Sequence, residues 1–413
     1  MKLFVGIDVS SEKLDVCVLD SEQNKLAQQS TTNDLNGASE IKALVLKTNA
    51  SVNYQRIVIG MESTSVYSFH PAMFFHEDQE LKALPLDVVT LNPTMIHRYK
   101  GLFDEDKTDT IDAFRIADFL RIERYRVPII KEEKYIALQR LTRTRYQLIH
   151  QMTECKQHFL ENLYYKCNTL TRELPTSVFS ASIMDILSDS LSLDDIAQMD
   201  VADLATRLNQ AGKGRFSDPE KLAQVIQKAV RDAYRLGKVL QDSVDIVLAS
   251  YARIIAGLKK QIQSLDKNIE AMYQIIPETQ SLLSVPGIGP VYAAGLIAEV
   301  GQIDRFDHEA QLAKYAGLYW KVSQSGHFQA ERTPRTHTGN EYLRYYLIEA
   351  ANSVKNRDPV YRAYYLKKFH EVPKFRHKRA LVLTARKLVR LVDVLLRDHL
   401  LYTPKGSETT ETK

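Results

Sequence analysis

The 413-residue chain is poor in the features that mark several protein classes. It has three cysteines, Cys17, Cys155 and Cys167, widely spaced and in no C-x-x-C pair. That excludes a disulfide-stapled fold and a cysteine zinc site, and it suits a reducing, cytoplasmic setting. The 11 histidines show no H-E-x-x-H or similar ligand spacing. There is no run of about 18 apolar residues, so no membrane-spanning helix is expected. The opening MKLFVGIDVS reads as a strand and lacks the apolar stretch of a signal peptide. With 44% hydrophobic and 26% charged residues, the composition excludes a collagen-like or largely disordered chain. The length suggests two to three domains of about 100–200 residues each.

There is also little net charge, +4, but it is unevenly placed. Residues 1–130 carry 14 lysines and arginines against 19 aspartates and glutamates, whereas residues 331–413 carry 18 against 9. An acidic first part and a basic last part suggest a catalytic or metal-binding region followed by one that grips a polyanion.

The first 125 residues alternate strand and helix signals. Residues 2–9, 13–19 and 25–31 read as a meander of three strands, followed by a helix over 36–48. The continuous apolar run RIVIGM at 56–61 reads as a strand buried on both faces. A helix over 66–76, a strand over 86–91 ended by Asn92-Pro93, and a helix over 107–124 follow. This order fits a ribonuclease-H-like mixed sheet. In the middle, apolar positions 138, 141, 148, 152, 155 and 159, with Arg145 as a polar break, and again 244, 248, 251, 255, 258, 262, 265, 269, 272 and 276, step by three and four. That is the coiled-coil period, and it predicts an antiparallel helical hairpin with a connector at about 170–240. Beyond Leu282 the pattern predicts helices near 308–315, 340–355, 359–369 and 377–400.

Three constellations carry chemistry. Asp8 ends the first strand on the face shared with Phe4 and Gly6, and Glu62 ends the buried strand. Asp109 and Asp112 stand i, i+3 on one helix face. Four converging carboxylates repel unless cations neutralise them, and oxygen ligands favour Mg²⁺ or Mn²⁺. Such a site suits phosphoryl transfer. Asp104, Glu105 and Asp106 are rivals for the helix ligands, with Asp106 a candidate cap. The second constellation is VPGIGPVYA, where Gly287 and Gly289 in a helix-hairpin-helix-like turn offer backbone N–H groups to a phosphate. The third is the polar stretch with Ser325-Gly326 followed by Arg332, Arg335, His337 and Arg344, in which a serine near cations is a candidate nucleophile and Arg335, His337 and Arg344 are candidates to steady DNA or RNA phosphates. Residues 374–390 then hold seven Lys/Arg and no acid, among them Lys374, Arg376, Lys378 and Arg379. Tyr361, Tyr364, Tyr365, Phe369 and Phe375 lie nearby in sequence, which suits phosphate contact with base stacking.

These pieces, GIDVSSEKLDVCVLD, GMESTSVY, DKTDTIDAFRIADFL and LLSVPGIGP with YAGL, SQSG and TGNEYLR, occur in the order found in the DEDD transposases of the insertion sequence 110 family, which the chain resembles over most of residues 1–400. The resemblance departs after YAGL, where YWKVSQSG replaces an early proline and leaves Ser323 as a rival to Ser325, and in the length of the connector. It implies a RuvC-like catalytic domain over 1–128, a coiled-coil linker domain over 129–277, a C-terminal transposase domain with a serine nucleophile over 278–402, and a tail over 403–413. It also implies an Mg²⁺-dependent DNA recombinase that uses Asp8, Glu62, Asp109, Asp112 and Ser325. Donor and target DNA, a noncoding bridge RNA and a homo-oligomer, dimer or tetramer, with sites composite between protomers, are the implied partners. A site-specific invertase of the same family, a metal nuclease without a covalent intermediate and a noncatalytic nucleic-acid scaffold are the alternatives. A sugar kinase or ATPase fits poorly, because Ser10 stands where its phosphate loop needs glycine.

Overall fold

The computed structural model describes residues 1–63, 66–103, 109–125, 131–188, 192–320, 324–325, 328–329 and 338–404. The chain forms two compact units, Met1–Ile130 and Lys131–Lys413. In the first, β1 (Lys2–Val9), β2 (Lys13–Asp20) and β3 (Lys25–Thr32) form an antiparallel meander. Then come α1 (Leu35–Val52), β4 (Arg56–Glu62), α2 (Phe69–Glu77), α3 (Gln79–Lys82), β5 (Leu86–Leu91), α4 (Pro93–Lys100) and α5 (Asp109–Arg121). The sheet runs β3-β2-β1-β4-β5, with β4 parallel to β1 and β5 parallel to β4. This is the mixed α/β sheet expected of a ribonuclease-H-like domain.

Two cores sandwich the sheet. Leu3, Val5, Ile7, Ile57, Ile59 and Met61 pack with Ile41 and Val45 of α1 and Phe75 of α2. On the opposite face, Phe4 and Val58 pack with Ile116 and Leu120 of α5. Double coverage explains why β4 reads as an unbroken apolar run, each buried aliphatic side chain contributing roughly 1.5–3 kcal/mol. By contrast β3, at the sheet edge, alternates exposed and half-buried residues. Gly6 sets how closely α5 lies on the sheet, since a Cβ there would run into the backbone of Ala113 and Ala117.

The second unit is mostly helical. Its long helices α6 (Glu133–Lys166) and α12 (Lys238–Tyr273) enclose α7 (Leu170–Glu173), α8 (Ala181–Ser188), α9 (Leu193–Gln198), α10 (Val201–Ala211) and α11 (Pro219–Arg231) in sequence. After them come α13 (Thr279–Leu283), α14 (Pro290–Val300), α15 (Glu309–Tyr315), the two-residue strands β6 (Gln324–Ser325) and β7 (Phe328–Gln329), α16 (Glu341–Arg357), α17 (Pro359–His370) and α18 (Arg376–Arg397). The ion pairs Arg145–Asp266 and Lys166–Asp245 show that α6 and α12 run antiparallel. Along α12 the two rows of the 3,4 pattern part company. Leu248, Ile255, Ile262 and Ile269 are buried, while Tyr251, Leu258, Leu265 and Met272 are half-buried.

Neither end of this hairpin stands free. At the tip, Phe159, Leu163, Val244 and Leu248 share a core with Leu204, Leu222 and Ile226 of the connector. Three of the connector helices, α9, α10 and α11, start on side-chain caps: a Ser192/Asp195 capping box, Asp200, and Asp218 before Pro219. At the base, Leu138, Ile269 and Tyr273 join Leu296, Leu347 and Leu388 in one continuous core. No described helix is long and apolar enough to cross a membrane.

Candidate active site

Parallel register puts two of the acids side by side. Gly6 pairs with Gly60 and Ile7 with Met61, so Asp8 and Glu62 are the next residues of adjacent strands, near their C-terminal ends. α5 crosses the same face, and its first turn brings Asp109 and Asp112 to that end. The acids feel one another. Burial pushes the Asp8 carboxyl up to about 6; Lys100 opposes the shift, and the charges of Asp112, Asp109 and Glu62 add to it. The four acids named from the sequence thus lie at one end of the sheet, near enough for the other three to act on the charge of Asp8. Asp104, Glu105 and Asp106 lie outside the described residues.

Two participants are new. α4 follows Asn92-Pro93, with the Asn92 side chain accepting from Thr94 N and Pro93 in the first turn. Its last residue, Lys100, puts its ammonium 3.0 Å from Asp112 Oδ1 and 3.7 Å from Glu62 Oε2. The neighbouring Tyr99 donates to Asp118 Oδ2 at 2.7 Å, and this ties α4 to α5. The other newcomer is Asp15, directly across from Asp8 in the β1–β2 ladder and therefore on the same face of the sheet. The strand register carried that signal in the sequence, two residues after Lys13. Lys100 was hidden because PTMIHRYK is short and mostly polar.

Among the described residues, no three histidine, cysteine or acidic side chains stand close enough to hold one ion in common. The donor chemistry nevertheless fits a hard divalent cation. The set is all carboxylate, two at strand ends and two in the first turn of α5, and burial raises the Asp8 carboxyl although Lys100 opposes the shift.

Ser325 ends β6 and pairs with Phe328 of β7, two residues separating them in the chain. Ser323, Arg332, Arg335 and His337 lie outside the described residues. The segment that carries them departs from and returns to anchored backbone. Asn340 N donates to Tyr315 O at 2.6 Å, and its side-chain amide donates to Glu299 Oε2 at 2.7 Å and to Tyr315 Oη at 3.0 Å. Arg344, expected to steady a nucleic-acid phosphate, donates instead to the carbonyls of Ala316 and Thr338, at 3.2 and 3.5 Å. Gly287 has φ +102°, and a Cβ there would meet the backbone of Ser353 and Val354 at 2.8–2.9 Å. Its need for glycine is thus met by close packing on α16. Gly289, the N-cap residue of α14, has open space where a Cβ would point.

In the basic stretch, residues 374–379 are exposed, and Phe375, at φ +53°, is 82% exposed. Arg376 donates to Val372 O, and Arg379 pairs with Glu371 at 3.0 Å. Farther along, Arg386 and Arg390 flank Glu309 at 2.7 and 3.4 Å, and Lys387 lies over the rings of Tyr361 and Tyr364 at 4.8 Å. Residues 374–379 are therefore the exposed part of the basic stretch, although Arg376 and Arg379 within it already have protein partners, as Arg386, Lys387 and Arg390 do farther along.

Two family models match the chain. One, a transposase model of the DEDD insertion sequence 110 type, covers residues 5–165; the other, for the transposase IS116/IS110/IS902 family, covers residues 279–366. Together they span more than half of the chain, and the connector and the return helix α12 fall between them. The 44.8 kDa protein of insertion element IS116 from Streptomyces clavuligerus is 26% identical, over 98% of this chain and 96% of its own length. The 43.6 kDa protein of IS110 from Streptomyces coelicolor is 32% identical over 40% of this chain and 41% of its own. The 42 kDa protein of IS900 from Mycobacterium paratuberculosis is 24% identical over 97% of both. The first match contains all four acids, the second begins with α13 and ends within α17, and the similarity to IS116 and IS900 runs nearly end to end: the chain belongs to the insertion sequence 110 family of transposases.

Proposed function

We propose that this transposase mobilises its element by cutting and rejoining DNA through a phosphoserine intermediate. The observation that carries the reading is the gathering of Asp8, Glu62, Asp109 and Asp112 at one end of the sheet, where the three other acids act on Asp8. Those four residues would hold Mg²⁺ or Mn²⁺, which supplies charge neutralisation at the phosphate and at the departing oxygen. Ser325 is the nucleophile. Its Oγ bonds to phosphorus as the bond to one deoxyribose oxygen breaks; the serine proton is given up and the departing oxygen takes a proton. The phosphoester energy stays in the protein–DNA bond. A deoxyribose hydroxyl from the second DNA then displaces the serine, so no external energy source is needed.

The start of α18 and the two residues before it, with Lys374, Arg376, Lys378 and the projecting Phe375, supply phosphate contacts and a stacking surface for nucleic acid. A noncoding guide RNA selects donor and target, and the chain works as a homo-oligomer. The test is Mg²⁺-dependent cleavage of element-end DNA by the full chain, with and without RNA copurified from cells expressing the element. Cleavage at the ends, dependent on metal and directed by that RNA, supports the proposal. Free ends with no protein attached would instead mean a metal nuclease that activates water.

A further inference from the structure

Lys100 belongs to the acid cluster as firmly as the acids do. Its side chain is 22% exposed, and those of Asp112 and Glu62 are 14% and 17% exposed. It has not merely drifted in from the surface. The start of α4 is fixed by Asn92 and Pro93, Ile96 is fully buried against the α5 side of the sheet, and Tyr99 is bonded to Asp118 and packed edge-on against Phe119 at 5.2 Å. With the helix end held this way, Lys100 reaches Asp112 and Glu62 together. An ammonium carries three donors and a single charge. It can satisfy oxygens of two carboxylates, but it cannot neutralise four. A divalent cation taking the same oxygens meets a like charge at contact distance, so the two occupations exclude each other.

Resting on the reading of the four acids as the metal site, we propose that Lys100 is the built-in counter-ion of that site: it holds Asp112 and Glu62 together in the metal-free chain, gives way to the divalent cation, and thereby sets the metal affinity. In the metal-free chain its loss leaves the carboxylates to repel. With metal bound, its loss removes a competitor. A purely structural surface lysine would do neither.

The experiment uses the full-length chain, stripped of metal, and Mn²⁺ as the probe, with free Mn²⁺ followed by electron paramagnetic resonance. Lys100→Gln, Lys100→Arg and Asp109→Asn are compared with wild type. A positive charge beside a carboxylate shifts its ionisation by about 1–3 pKa units. On that scale Lys100→Gln should bind Mn²⁺ about tenfold more tightly, while Lys100→Arg, which keeps the charge, stays at or below wild-type affinity. In EDTA, Lys100→Gln should melt below wild type, and Mn²⁺ should restore it by more than it raises wild type. Wild-type Mn²⁺ binding with equal or weaker binding by Lys100→Gln overturns the role of Lys100 and leaves the metal site standing. No Mn²⁺ binding by either protein, or full binding by Asp109→Asn, overturns the metal reading and the counter-ion with it.

Discussion

Arg143 of α6 grips Glu299 of α14 with two nitrogens, Nε to Oε1 at 2.7 Å and Nη2 to Oε2 at 2.9 Å, and the Glu299 side chain is wholly buried. The same carboxylate accepts from Asn340, the N-cap of α16, and the guanidinium lies over the ring of Tyr342 at 4.4 Å. Three helices thus meet on one acid at the foot of the segment that carries Ser325. Burial pushes the Glu299 carboxyl up, but the Arg143 and Asn340 hydrogen bonds and the nearby positive charges outweigh it and hold the carboxyl below the usual range. A depressed carboxyl stabilises the fold above its unfolded value near 4.5, and that contribution is lost as pH falls through the lower folded value. Glu299→Gln should therefore lose about 1–3 kcal/mol at neutral pH, discounting for the partly exposed arginine. Its denaturant midpoint should converge on wild type in acid. A constant gap down to the acid limit would show that packing, and not the charge, is what matters.

Asp109→Asn should abolish DNA cleavage while leaving the circular dichroism and melting curve of the first unit intact, because Asp109 is exposed and sits in the first turn of α5. EDTA should silence the wild type in the same way. Cleavage at the wild-type rate in either case would remove Asp109 from the site.

The sequence made this site partly legible, for physical reasons that differ residue by residue. β4 announced itself because both of its faces are covered, and Asp109 and Asp112 because a helix repeats every 3.6 residues. Asp15 needed only the β1–β2 register. Lys100 could not be read, since the helix that delivers it is held by an asparagine cap, a proline and one buried isoleucine instead of an apolar stripe. The hairpin period was visible, but it could not show that both ends sink into globular cores or that only one of its two rows is buried along α12. In the connector only the amphipathic stretch 219–236, which holds α11, was legible; α7 to α10 are short and are held by burial against the hairpin tip and, for α9 and α10, by local caps.

That asymmetry of α12 makes a sharp test of assembly. Leu258 and Leu265 are half-buried, whereas Ile262 is buried in the same helix. Leu258→Asp with Leu265→Asp should leave a folded chain that sediments as a smaller species and no longer recombines. Ile262→Asp should instead destabilise the fold itself by about 3 kcal/mol or more. An unchanged mass for the double variant would mean that this row serves packing within one chain.

Nucleic-acid affinity should depend on the start of α18 and the two residues before it. Replacing Lys374, Arg376 and Lys378 with Gln should lessen the slope of log affinity against log salt by roughly 2–3, at about 0.7–0.9 for each phosphate no longer neutralised. Phe375→Ala should weaken single-stranded binding with little change in that slope, as expected for stacking. If the triple variant keeps the wild-type slope, these cations face solvent only.

The proposed chemistry stands or falls on a covalent bond between Ser325 and DNA. The deciding measurement is denaturing gel mobility of end-labelled DNA after reaction with the full chain, followed by peptide mapping of the retarded band. The expected product is a protein–DNA adduct that maps to Ser325, needs divalent metal, persists with Ser323→Ala and disappears with Ser325→Ala while nucleic-acid binding remains. An adduct on Ser323, or cleavage that yields free ends with no adduct at all, would contradict it.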